Sequence, residues 1–445
     1  MDYASPSPRD IPLALPAPEW LLQGAIVVFF ILHILFVNLM LGGAILTLYF
    51  ERLGYRRGEP KFDALARRIA ATVTVNKSLA VVLGVGPLLA MNVLYSVYFY
   101  SANALTGTAW VSIVPLAASA FLLLYWHKFS WEKMAGEKRR HMAILIVAVA
   151  LLLAIPLIFL TNINLMLFPE RWTSIAGFFS AAILPNVLPR YAHFLLATQA
   201  VTGLFLAWHL GRRQHADLED LTPPTLRRMF YRVTLYASLA QFLVGPTVYF
   251  TLPSRGVTNQ MTGVILAGVT MALAGILFLW QEIYETDERI GRGYWFVVAF
   301  LFGTVCCMAL GRHLYREESI ASHRTRMQER TAKFEVLSQA AFDDYQRELA
   351  KFPPEQRLFN FRCGACHAID TVRVGPSLRE IAGIYKDKPE GIVAWAMSPG
   401  KKRPSFPQMP KMSHVGERDL TTIAQYMISA GSVTAPAASQ LQSKE

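Results

Sequence analysis

Ile31-Leu32-His33-Ile34-Leu35-Phe36-Val37-Asn38-Leu39-Met40-Leu41 lies inside an apolar run over about 22–49 that contains no charged residue. A helix needs roughly 20 such residues to cross the hydrocarbon core of a bilayer, so this run is long enough to span. Further runs of spanning length occur at about 78–100, 110–127, 142–166, 188–209, 232–252, 260–281 and 294–313. Of the 445 residues, 53% are hydrophobic and only 17% are charged, with a mean hydropathy of +0.32. That composition excludes a soluble protein of this length. The expected fold is therefore all-α: a polytopic bundle of eight transmembrane helices.

Basic residues set the expected orientation. Arg52, Arg56, Arg57, Lys61, Arg67, Arg68 and Lys77 follow the first run, Lys128, Lys133, Lys138, Arg139 and Arg140 the third, and Arg212, Arg213, Arg227, Arg228 and Arg232 the fifth. Ser101–Ala109 has no charge, and Pro253–Gln260 has only Arg255. Positive links stay in the cytoplasm, so both termini are expected in the periplasm of a bacterial inner membrane. Topology accounts for the net charge of +12, and nothing points to nucleic-acid binding. Met1–Trp20 lacks a basic start, so no cleavable signal is expected.

Cys363-Gly364-Ala365-Cys366-His367 is the pattern by which a c-type haem is attached, two thiols adding to the vinyl groups while the imidazole ligates the iron. Read otherwise, the two cysteines would form a disulfide or a zinc half-site. Val374-Gly375-Pro376-Ser377-Leu378, then Gln408-Met409-Pro410, then an amphipathic run Glu417–Ile428 follow. That order resembles the small class I cytochrome c over about 350–432, which implies Met409, rather than Met412, as the sixth ligand. A domain on the outer side agrees with periplasmic haem attachment. Cys306-Cys307 inside the eighth run cannot form an ordinary disulfide and reads as apolar filler.

Histidine inside a span is costly without a partner, so His33 and His193 are candidate haem ligands or core histidines bonded to a neighbouring helix. Leu32-His33 to Gly42 resembles the first helix of subunit I of the cytochrome bd quinol oxidases. Lys77 with Gly84-Val85-Gly86, Pro185-Asn186 through Arg190-Tyr191-Ala192-His193 to Thr202-Gly203-Leu204-Phe205, and Gly311-Arg312-His313 are similar to later family motifs in the same order. The resemblance covers about 20–316. It implies two or more b-type haems, a low-spin one ligated by His193 with Met261 in preference to Met271, and another by His33. It also implies a second membrane subunit.

This chain departs from the family pattern in three places. The third run, Val111–His127, has none of the family's glutamates. Ala309 stands where a glutamate ligand is expected, with His313 or Met308 as substitutes, and His127 lies near where one third-run glutamate would fall; His313 and His127 read otherwise as interfacial histidines hydrated at a helix end. His209 reads as an interfacial residue, and the outer loop is reduced to about Pro253–Gln260. With no carboxylate between helix ends, oxygen reduction loses its proton path. The expected function is electron transfer between b-type haems on the quinone side and a covalent c-type haem facing a periplasmic cytochrome partner, that is, an oxidoreductase subunit. The alternative is a terminal reductase of oxygen or nitric oxide. A third reading is an assembly subunit that keeps only the cytochrome. The expected divisions are a periplasmic segment 1–20, a membrane domain 21–315, a charged helical linker 316–352 ended by Pro353-Pro354, a cytochrome c domain 353–432, and a disordered tail 433–445.

Overall fold

The computed structural model describes residues 15–73, 77–212, 218 and 221–433, without the side chains of 73 and 77–81. Most of the expected segment 1–20, nearly all of the expected tail, Arg213 and the Lys77 side chain lie outside the described residues. The chain forms two compact units, Met1–Thr331 and Ala332–Glu445. The division falls inside the expected linker, because the eighth apolar run and that linker are one continuous helix.

The first unit begins with α1 (Glu19–Arg57), which has an acid in its first turn, Arg56 and Arg57 in its last, and Gly58 closing it at φ 67°. These charges complement the helix dipole, and glycine takes the left-handed cap without strain. The amphipathic α2 (Pro60–Val73) follows, burying Phe62, Leu65, Ala66 and Ile69. The second apolar run is not one straight span. It divides into α3 (Lys77–Leu94) and α4 (Ser96–Thr106), bent by 109° at Tyr95. Then come α5 (Thr108–Phe129), α6 (Lys138–Leu165), the short α7 (Phe178–Ala182), α8 (Val187–Leu210), α9 (Pro223–Phe250), α10 (Asn259–Tyr284) and α11 (Tyr294–Ala350). Among the described residues, seven helices are long and apolar enough to cross a membrane, or eight if the bent pair counts as one span. The molecule is all-α, with no strand among the described residues.

α1 packs on α2, α3, α6 and α8, α5 on α6, and α8 on both α9 and α1. Small and polar residues join the helices, as they must where lipid gives no hydrophobic drive to associate. Thr198 Oγ1 donates to Asn38 Oδ1 at 3.0 Å and Thr202 Oγ1 to the Asn38 carbonyl at 2.8 Å, tying α8 to α1. A Cβ on Gly42 would fall 2.2 Å from Thr202 Oγ1. Asn186 opens α8 at φ 75°, and its amide donates to the Val248 carbonyl at 2.6 Å and to Thr251 Oγ1 at 2.9 Å.

Buried apolar residues form two clusters. One joins Met40–Phe50 of α1 to α2, α5, α6, α8 and α9. The other joins Ile26 to α4, Ile163–Phe168, Met261 and Tyr315. Along α1 no residue from 27 to 37 is buried, and His33 lies in this interval between the two clusters.

The second unit contains α12 (Pro354–Arg362), α13 (Leu378–Tyr385), α14 (Pro389–Met397) and α15 (Glu417–Ser432). α15 packs on α12, α13 and α14. The Phe359 and Tyr426 rings meet at 5.2 Å, and Gly431 lets α15 approach the Leu378 carbonyl, which a Cβ would reach at 2.2 Å.

Candidate functional site

His193 stands two turns into α8, and its Nδ1 is buried with no hydrogen-bond partner. A buried polar atom left unmatched is costly, so a matching group is called for. Arg190, one turn earlier, is buried with Nη1 unpartnered, and Arg316 of α11 is buried with Nε unpartnered. Arg312 lies near enough to both to be repelled by them. Cations gathered in a bundle call for anions, and an imidazole beside them offers an iron ligand. That combination fits a b-type haem: His193 would hold the iron, and the arginines would face the propionates.

His33 is half-buried on α1, its ring against Gly84 of α3. A Cβ on Gly84 would fall 2.8 Å from His33 Cε1, so glycine is what admits the imidazole. The Gly84-Val85-Gly86 motif thereby gains a physical role, since a Cβ on Gly86 would likewise crowd Phe29 at 3.0 Å.

The remaining sequence candidates lie as follows. Met261 is 1% exposed within the apolar cluster of α4, Tyr315 and Ile320. His313 Nδ1 accepts from Arg316 Nη2 at 3.0 Å, which leaves the proton of the neutral ring on Nε2 and counts against iron ligation there. His127 is not a hydrated helix-end residue: it is 1% exposed and bonded to Glu51. His209 stacks on Phe205 at 5.5 Å. Cys307 Sγ lies 4.0 Å from Met271 Sδ.

In the second unit Cys363, Cys366 and His367 form a tight turn at the end of α12. The amide of His367 donates to the Cys363 carbonyl at 3.0 Å, and the amide of Gly375 to the Cys366 carbonyl at 2.9 Å. His367 Nδ1 donates to the Pro376 carbonyl at 2.8 Å, which fixes the tautomer and leaves Nε2 for a metal. A Cβ on Gly375 would fall 2.5 Å from the His367 ring, so glycine is needed for this pose. None of the four cysteines forms a disulfide. Burial, and then the neighbouring Cys366, pushes the Cys363 thiol up to about 11 against the opposing pull of Arg362. Met412 is 9% exposed in the apolar core, whereas Met409 is half-buried at its edge. Two thiols and an oriented imidazole are the donor set that a covalent haem would need, and Met409 would supply a thioether.

Sequence reasoning missed Glu51, which is 0% exposed. The apolar run stops at Tyr49 and Arg52 begins a basic link, so Glu51 reads as part of the link. In the structure α1 continues to Arg57 and carries Glu51 into the bundle.

The profile of the cytochrome bd terminal oxidase subunit I family matches residues 22–249, just over half of the chain. The chain belongs to that family. It is therefore a multi-pass inner-membrane chain of respiratory electron transport, from a family of oxidoreductases that bind b-type haems and whose subunit I pairs with a second membrane subunit. The match includes α1 to α9 with His33 and His193, whereas Met261, Arg312 and His313 lie beyond it. Among solved structures, the bd oxidase from Geobacillus thermodenitrificans is similar at 13% identity, over 75% of this chain and 99% of that chain, with a TM-score of 0.48. No curated protein matches.

Proposed function

We propose that this chain moves electrons between a membrane quinone pool and a periplasmic cytochrome or other redox partner. It would do so through two or more b-type haems, held by His193 and His33, and one covalent c-type haem on Cys363 and Cys366. Met261 is the proposed companion ligand to His193, and His367 and Met409 are the proposed axial ligands of the c-type iron. Residues 353–432 are read as a class I cytochrome c domain and 316–352 as its helical linker. A second membrane subunit completes the proposed assembly, and a periplasmic position for both termini is part of the proposal, supported by the basic links. The observation that carries the reading is the His367 turn: in a chain of this family, an attachment motif follows the bundle with its imidazole already held on the Pro376 carbonyl at 2.8 Å.

Haem iron with both axial sites filled changes oxidation state without binding substrate. The protein's part is to orient and to cover. Pro376 fixes the His367 tautomer, Gly375 and Gly84 admit the two imidazoles, and Arg190, Arg312 and Arg316 offer positive charge to propionates. A covalently carried domain also keeps its redox group near the bundle at high effective concentration. Two contacts weigh against the alternative, a terminal reductase of oxygen or nitric oxide: His313 is tied to Arg316 and His127 to Glu51. In lipid vesicles with a reduced quinol, the c-type optical band should become reduced, and His193→Ala should stop that reduction while leaving the band itself. Unchanged reduction in His193→Ala would remove that residue from the path.

A further inference from the structure

Glu51 of α1, His127 of α5 and His141 of α6 meet with exposures of 0%, 1% and 0%. His127 Nε2 lies 2.8 Å from Glu51 Oε2, and His141 Nδ1 lies 2.5 Å from Glu51 Oε1. His141 Nε2 lies 2.8 Å from the His127 main-chain carbonyl. The two imidazoles stack at 3.9 Å, and Trp131 closes over both, edge-on, at 5.1 and 4.8 Å. The cluster is separate from the His33 site, because eighteen helical residues between them are about 27 Å.

Hydrogen-bond chemistry fixes what this cluster contains. A carbonyl only accepts, so His141 Nε2 carries a proton. His141 Nδ1 and Glu51 Oε1 would then face each other lone pair to lone pair at 2.5 Å unless a cation lies between them. Two ligands on one zinc ion, each at about 2.0–2.1 Å, stand roughly 3.3 Å apart in a tetrahedron. Separations of 2.5 and 2.8 Å suit a proton instead. Charge agrees with this count. The Glu51–His141 pair with its proton is neutral overall, and the facing charges, Lys138 from α6 and Asp63 from α2, pair with each other at 2.6 Å.

These two residues also give the site a route outward. Lys138 Nζ is 3.6 Å from Glu51 Oε1, and side-chain exposure rises from 0% at Glu51 through 17% at Lys138 to 31% at Asp63. We propose that Glu51 and His141 share a labile proton, and that the bundle takes this proton from the aqueous phase at the end bearing the basic links, along Asp63 and Lys138. In uptake, Lys138 Nζ passes a proton to Glu51 Oε1 and regains one from water at Asp63. Only N–H and O–H bonds form and break. His127 donates to Oε2 and holds the carboxyl in place, so it is a positioning residue.

The test uses the full-length protein in lipid with nitrogen-15 histidine, at about pH 8, where an ordinary imidazole is neutral. Solid-state nuclear magnetic resonance should find one doubly protonated imidazole, or infrared spectroscopy one protonated carboxyl. Glu51→Gln should abolish that signal, and the exposed His414→Gln should leave it. Absence of both signals from the unaltered protein would overturn the proposal. So would one equivalent of zinc or another transition metal by elemental analysis that is lost in Glu51→Gln. If Glu51→Gln does not fold, Lys138→Met, which leaves the triad intact, is the second reading. Exchange of the signal into deuterium oxide should slow at least tenfold in that variant, and an unchanged rate would overturn the route.

Discussion

Two methionines near the end of the chain separate ligation from packing. Met412 is buried among Ile392, Val393 and Val415, whereas Met409 sits half-covered beside Pro410. Met409→Ala should keep the haem attached through Cys363 and Cys366 and lower its reduction potential, because a thioether ligand favours the ferrous state. Met412→Ala should leave the potential in place and cost about 2–5 kcal/mol of domain stability through the cavity it opens. Potentiometric titration and thermal melting of both variants check this pair, and the reverse pattern would move the ligand to Met412. At this scale the sequence is informative where chemistry depends on spacing, as in Cys363 to His367. It is silent where a role depends on a partner far along the chain: nothing near Glu51 announces His141, ninety residues away.

Long apolar runs made the helices legible, because length and hydropathy decide whether a segment can span. Their interruptions and ends were not. The bend at Tyr95 has no proline or glycine beside it. Its ring lies under the Arg316 guanidinium at 4.6 Å, and its hydroxyl donates to Glu317, so the bend is held by contacts from α11. Similarly, α11 runs unbroken to Ala350 because helix-forming residues continue after the apolar stretch ends. In the second unit, the close crossing of α13 and α15 depends on Gly431. Gly431→Ala would drive a methyl group into the Leu378 carbonyl, and backbone cannot give way cheaply. That variant should melt at a clearly lower temperature, with a loss of about 1–3 kcal/mol by overpacking. An unchanged melting temperature would show that α15 can shift without cost.

Taken whole, the chain joins a bundle of the bd subunit I family to a C-terminal unit that holds the Cys363–His367 turn. The sequence-level argument that no carboxylate enters the bundle needs correction, since Glu51 is fully buried; yet it stands about 27 Å along α1 from His33, so the proton it shares with His141 is held away from that imidazole. Electron transfer without oxygen reduction therefore remains the proposed chemistry. Purified protein supplied with quinol or reduced cytochrome should consume oxygen no faster than background, whereas cyanide-sensitive uptake at about 10 turnovers per second, a common enzymatic rate, would favour the reductase. The central claim is that non-covalent haems in the bundle and a covalent haem outside it share one polypeptide. A pyridine haemochrome assay on the purified chain counts the two types separately. The account predicts one c-type haem with at least two b-type haems per chain; a chain carrying c-type haem alone, or b-type alone, would contradict it.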